Sequence, residues 1–188
     1  MPQSKFQKMI FALITVIITV HAYVFYSLYV INGSIFMNIT GETGVIKAIN
    51  TMGGVSVLGK NVPIWAVVLI EFILAYCLEI FVGSPLSFRL ACKVFNPTKT
   101  HPVMFETAII CATVGIMCPI MSFIASIIYY PYGMSDLNIF TLLANWLKLV
   151  CYNLPFAYFS QLFFIQPFVR TVFKKIFVRN NIVSEVHA

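Results

Sequence analysis

AYCLEIFVGSPLSFRLACKVF, residues 75–95, returns without gaps as AYFSQLFFIQPFVRTVFKKIF, residues 157–177. Ala75, Tyr76, Phe81, Pro85, Lys93 and Phe95 each recur 82 positions later, as Ala157, Tyr158, Phe163, Pro167, Lys175 and Phe177. Each copy runs from an apolar stretch through a proline into a basic segment, which reads as the end of one membrane helix used twice. A looser match at a spacing of 96 pairs His21 with Met117 and Phe25 with Met121, carrying the repeat into the preceding apolar stretches. Two helices per copy send both copies into the membrane in the same direction. They are then parallel repeats about an axis along the membrane normal.

Composition agrees. The 188 residues are 60% hydrophobic and 10% charged, with a mean hydropathy of +0.92. Soluble domains carry roughly a quarter charged residues, and one of this size leaves too much of its chain exposed to hide so much apolar surface. A hydrocarbon core about 30 Å thick needs roughly 20 apolar residues per helix, and four stretches qualify: 9–31, 62–82, 103–130 and 139–165. The first is too long for a signal peptide, and no small-residue cleavage site follows it. The expected fold class is an all-α membrane protein, four transmembrane helices built from two parallel two-helix repeats. The expected units are 1–98, with an extracytoplasmic loop at 32–61, and 99–188, with a short basic cytoplasmic tail.

Cations set the orientation. Lys5, Lys8, Arg89, Lys93, Lys99, Arg170, Lys174, Lys175 and Arg179 fall on one side, against Lys47, Lys60 and Lys148 on the other. Both termini are therefore expected in the cytoplasm of a multi-pass protein. Trp65, Trp146 and the Tyr129-Tyr130-Pro131-Tyr132 cluster serve as anchors at the opposite interface. The net charge of +6 follows from this topology and gives no reason to expect nucleic acid. After the shared proline, Arg89 and Lys93, like Arg170 and Lys174, lie four apart, a spacing that can hold cations against lipid headgroups.

Ionisable groups inside a span are costly and mark functional candidates. Glu71 and Glu79 lie eight apart, on one helix face; the repeat puts Asn153 and Gln161 at their positions, keeping polarity while losing charge. Counted at about 1.5 Å per residue from the basic ends of their spans, His21, Glu71, Met117 and Asn153 fall at one depth, near mid-membrane. A Glu71–His21 pair there could bind and release a proton; the alternative is a fixed hydrogen-bond network holding helices together. Pro119 and Pro155, near the same depth, are candidate hinges that free carbonyls near Gly115 and Cys151.

Met117, Cys118 and Met121 could ligate a soft metal, though packing explains such residues better, and no metal or other cofactor is expected. Five scattered cysteines without a Cys-x-x-Cys pair argue against a disulfide oxidoreductase. No Ser-His-Asp set, phosphate loop or zinc motif is present, so no enzymatic activity is expected.

KFQKMIF at residues 5–11, MCPIMS at 117–122 and the proline-plus-basic endings resemble a bacterial family catalogued as a two-helix membrane domain of unknown function, often found twice in one chain. That resemblance covers most of the chain outside 32–61 and implies a bacterial inner-membrane protein. The tandem two-helix design is also similar to that of the proteobacterial antimicrobial compound efflux transporters, without their paired Arg/His and Phe-Glu motifs. The expected function is transport of a small solute, by efflux and coupled to protons, with Glu71 as proton carrier and His21, Asn153, Glu79 and Gln161 along the path. Four helices make a narrow bundle, so a path calls for a homodimer. The competing expectation is an accessory or sensor subunit binding a partner protein through Tyr23, Tyr26 and Tyr29.

Overall fold

The structure is a computed structural model that describes residues 5–130 and 138–186, with side chains at 6–130 and 138–177. Pro131 and Tyr132, and the side chains of Lys5, Arg179 and Ser184, lie outside them. The chain is mostly helical, and four helices are long and apolar enough to cross a membrane: Phe6–Ile31, Ile64–Val94, Pro102–Ile128 and Ile139–Phe177.

Three of these helices contain a five-residue π turn. Helix α1, Lys5–Tyr26, continues through Ser27–Ile31. Short helices α2 (Gly33–Thr40) and α3 (Val45–Thr51) and a hairpin of β1 (Val55–Val57) and β2 (Lys60–Val62) follow. Helix α4, Ile64–Leu78, passes through Glu79–Gly83 into α5, Ser84–Val94. Helix α6 is Pro102–Ile128, and α7, Ile139–Ser160, passes through Gln161–Ile165 into α8, Gln166–Val186. The Asn138 side chain starts α7 by accepting hydrogen bonds from the Phe140 and Thr141 amides.

The π turns at 79–83 and 161–165 are 82 positions apart. Each precedes a proline, Pro85 or Pro167, which cannot donate to the carbonyl four residues back and crowds it. In both, the amide after the turn reaches five residues back, Ser84 to Glu79 and Gln166 to Gln161. The wider turn lets the helix continue past the proline.

At these turns the long helices change neighbours. Helix α4 packs on α1 and α5 on α6; α7 packs on α6 and α8 on α1. Val16, Val20 and Val24, one turn apart on a single face, bury themselves against Ala75 with Phe72, Val68 and Met121 around them. Val114, Cys118 and Ala157 form a second cluster between α6 and α7, covered by Tyr23 and Tyr158. Many large apolar residues face outward, among them Phe81, Phe140 and Phe163.

The segment 32–61, expected as a loop, is folded, and its hairpin departs from an all-helical chain. The Leu58 amide donates to the Ile128 carbonyl at 2.8 Å, tying the hairpin to the end of α6. The basic segments are longer than expected: the second span continues as helix to Val94, and the tail after the fourth is helical to Val186.

Candidate functional site

The four long helices surround a central cavity of about 1270 Å³. Its wall reaches from Asn32, Val55 and Ser56 at the hairpin end to Lys8, Glu106, Arg170 and Lys174 at the opposite, basic end. Typical ligand pockets hold roughly 300–1,000 Å³, so there is room for a small organic molecule. One chain alone lines this cavity.

Four of the five expected path residues line this cavity: Glu71, Glu79, Asn153 and Gln161. Glu71 accepts a hydrogen bond from the Tyr129 hydroxyl. Glu79 accepts one from Ser84 Oγ at 2.9 Å. Asn153 Nδ2 donates to Ser122 Oγ at 3.2 Å, and Gln161 Nε2 donates to Thr19 Oγ1 at 2.9 Å. Among the described residues neither Glu71 nor Glu79 forms an ion pair.

His21 is the exception. It is exposed, with Nδ1 2.7 Å from its own helix's Ile17 carbonyl, and it lines a separate apolar pocket beside Phe25, Tyr29 and Ile46. The buried face of α1 carries Val16, Val20 and Val24, and one residue beyond Val20 the side chain points about 100° away. The Glu71–His21 pair is therefore not formed; Tyr129 holds Glu71 instead. Glu71 also lies seven residues, about 10 Å, from the hairpin end of α4. The mid-depth placement assumed a helix ending near Val82, and the helix runs on to Val94.

Pro119 and Pro155 sit inside α6 and α7, with aromatic donors satisfying carbonyls near them. Trp146 Nε1 donates to the Pro119 carbonyl at 2.9 Å, Tyr158 Oη to Cys111 at 3.1 Å, and Tyr26 Oη to Tyr152 at 3.2 Å. Trp146, expected as an interfacial anchor, is thus a bridge between helices. Tyr23 and Tyr26 pack on Phe156, with ring centroids 5.4 and 4.1 Å away. Only Tyr29 of the tyrosine face points outward, and it stacks on Phe25.

At the basic end, Arg170 forms an ion pair with Glu106 across α8 and α6. Arg170, expected against headgroups, lines the cavity at its basic end together with Glu106. Arg89 and Lys93 are exposed on α5, and Lys174 is exposed beside the mouth. Among the described residues no three His, Cys, Asp or Glu side chains cluster to hold a metal. The soft-metal trio is divided, with Cys118 in the α6–α7 cluster and Met121 against the α1–α4 cluster. Met117 Sδ would lie 2.9 Å from a β-carbon on Gly83.

A protein-family model described as a domain of unknown function (DUF2798) matches residues 101–177, which take in α6, α7 and the first part of α8. No curated protein and no solved structure matches the chain.

Proposed function

We propose that this chain is a multi-pass protein of a bacterial cytoplasmic membrane, both termini inside, that moves a small solute outward through its central cavity in exchange for protons. The observation that carries the reading is the convergence of Glu71, Glu79, Asn153 and Gln161 from α4 and α7 and their π turns onto one cavity running between hairpin and basic ends. Carboxylates inside a membrane helix mark ion and proton pathways, and Glu71 and Glu79 are the two that line this cavity away from its basic mouth. The ion pair of Arg170 with Glu106 lies at the basic mouth.

The repeat, 1–98 with 99–188, is part of the same proposal. It draws support from the 82-residue spacing of the π turns and from the matching change of neighbours at each. The accessory-subunit reading loses its main feature, because Tyr23 and Tyr26 are already occupied by Phe156.

Transport is tested by accumulation of a panel of small organic solutes in cells with and without the protein. The expected result is lower accumulation of at least one solute, abolished by a protonophore and by the combined Glu71→Gln and Glu79→Gln variant. Equal accumulation of every solute would contradict the reading. Orientation is tested in a background without the five native cysteines. An impermeant thiol reagent added to intact cells should label Ser56→Cys and spare Ser184→Cys, and the opposite pattern would reverse the topology.

A further inference from the structure

Glu79 and Gln161 each open a π turn, and each accepts a hydrogen bond from the side chain five positions on. Ser84 Oγ reaches Glu79 Oε1 at 2.9 Å, and Gln166 Nε2 reaches Gln161 Oε1 at 3.3 Å. In a π turn, residues five apart are brought together, and such turns are often found at functional sites. Both π turns touch the same two helices, α1 and α6, and all four polar side chains line the one central cavity. The two brackets are thus equivalent in position and differ in charge: Glu79 can be an anion, and Gln161 cannot.

Resting on the transport reading, we propose that the two brackets are halves of a single binding site for a bulky organic cation, with the Glu79 carboxylate as its counter-charge. The other charged groups lining the cavity lie toward its ends. Glu71 and Lys148 are toward the hairpin. Lys8, Arg170, Lys174 and Glu106 are at the basic mouth, where Arg170 is taken by Glu106. Between them Glu79 accepts from the Ser84 hydroxyl, and the apolar Val20, Ala75 and Val114 line the same cavity. A carboxylate on this wall attracts a cation and repels an anion. A cation with apolar bulk replaces the lost hydration with contact along the walls.

Gly83 supports the placement. A β-carbon there would lie 2.6 Å from Glu79 Oε2 and 2.9 Å from Met117 Sδ, so the bare backbone is what lets the carboxylate rest where it does. Gly83→Ala displaces the carboxylate without removing its charge.

The test uses tetraphenylphosphonium and tetraphenylborate, two ions of similar size and opposite charge, in equilibrium dialysis against the protein in lipid nanodiscs with empty discs subtracted. Saturable binding of the phosphonium, and none of the borate, is expected. Glu79→Gln should weaken phosphonium binding about tenfold or more, and adding Gln161→Glu to that variant should recover most of it. Gly83→Ala should also weaken it, and an unchanged thermal midpoint shows that each variant is folded. Equal binding of both ions, or an unchanged affinity in Glu79→Gln, would overturn the site. Failure of Gln161→Glu to rescue in a folded variant would overturn the shared bracket. Charge-dependent binding without any flux would keep the site and remove the transport reading, whereas flux insensitive to Glu79 would do the reverse.

Discussion

Glu71→Gln is expected to fold and melt like the parent protein while proton-dependent solute movement falls to background. The glutamine keeps the oxygen that accepts from the Tyr129 hydroxyl, so the link between α4 and the end of α6 survives. Only titration is lost. Glu71→Leu removes the acceptor as well, strands the Tyr129 hydroxyl, and should cost about 1 kcal/mol, the scale of interhelical hydrogen bonds in membranes. Tyr129→Phe combined with Glu71→Leu should recover part of that cost, because an unpaired buried donor is worse than none. Thermal midpoints in detergent beside flux in cells separate the two roles. If Glu71→Gln transports normally and only Glu71→Leu is impaired, Glu71 is structural glue and the proton carrier is elsewhere.

Gly54→Ala is expected to be the most damaging single methyl group at any described glycine. Gly54 has φ +121°, a conformation side chains rarely adopt, and a β-carbon there would sit 2.2 Å from the Val62 carbonyl oxygen and 2.5 Å from its carbon. Backbone cannot step aside as a flexible side chain can. Strained backbone costs on the order of 1–3 kcal/mol and overpacking a similar amount, so a loss of about 3 kcal/mol or more follows. The pairing of Val55 with Val62 should open, releasing the Leu58 amide from Ile128. Gly41→Ala is the control: it also has positive φ, at +71°, but a β-carbon there meets nothing within 4 Å. Thermal midpoints and exchange of the Leu58 amide check this. Equal effects at Gly41 and Gly54 would contradict the packing described.

Much of the architecture was legible because apolar length and repeat spacing are properties of the chain alone. The four long helices start close to where hydropathy puts them, and the 82-residue register reappears in the π turns. Glu71, Glu79, Asn153 and Gln161 were found together because polar groups are rare enough in such helices to stand out. What the sequence hid depends on neighbours distant in the chain. Tyr129 looked like an interfacial anchor, and only the approach of α4 to the end of α6 makes it the partner of Glu71. Glu106 and Arg170 are 64 positions apart and meet only because the fold brings the start of α8 near the start of α6. The π turns themselves were missed, although Pro85 and Pro167, just past two of the apolar runs and at one repeat position, were a signal that the helix would have to widen before each. His21 was misplaced by arguing from depth alone; the Val16, Val20 and Val24 spacing already marked a different face as the packed one.

Cysteine accessibility in proteoliposomes tests the central claim, a water-filled path inside a lipid-embedded bundle, most directly. In a background without native cysteines, single cysteines would replace Thr15, Thr19 or Ser122 on the cavity wall, or the outward-facing Ile17, Leu69 or Phe163. A small charged thiol reagent should modify the three wall positions and spare the three outward ones, which lipid covers. Modification of Ile17, Leu69 and Phe163 with no reaction at Thr15, Thr19 and Ser122 would contradict the account.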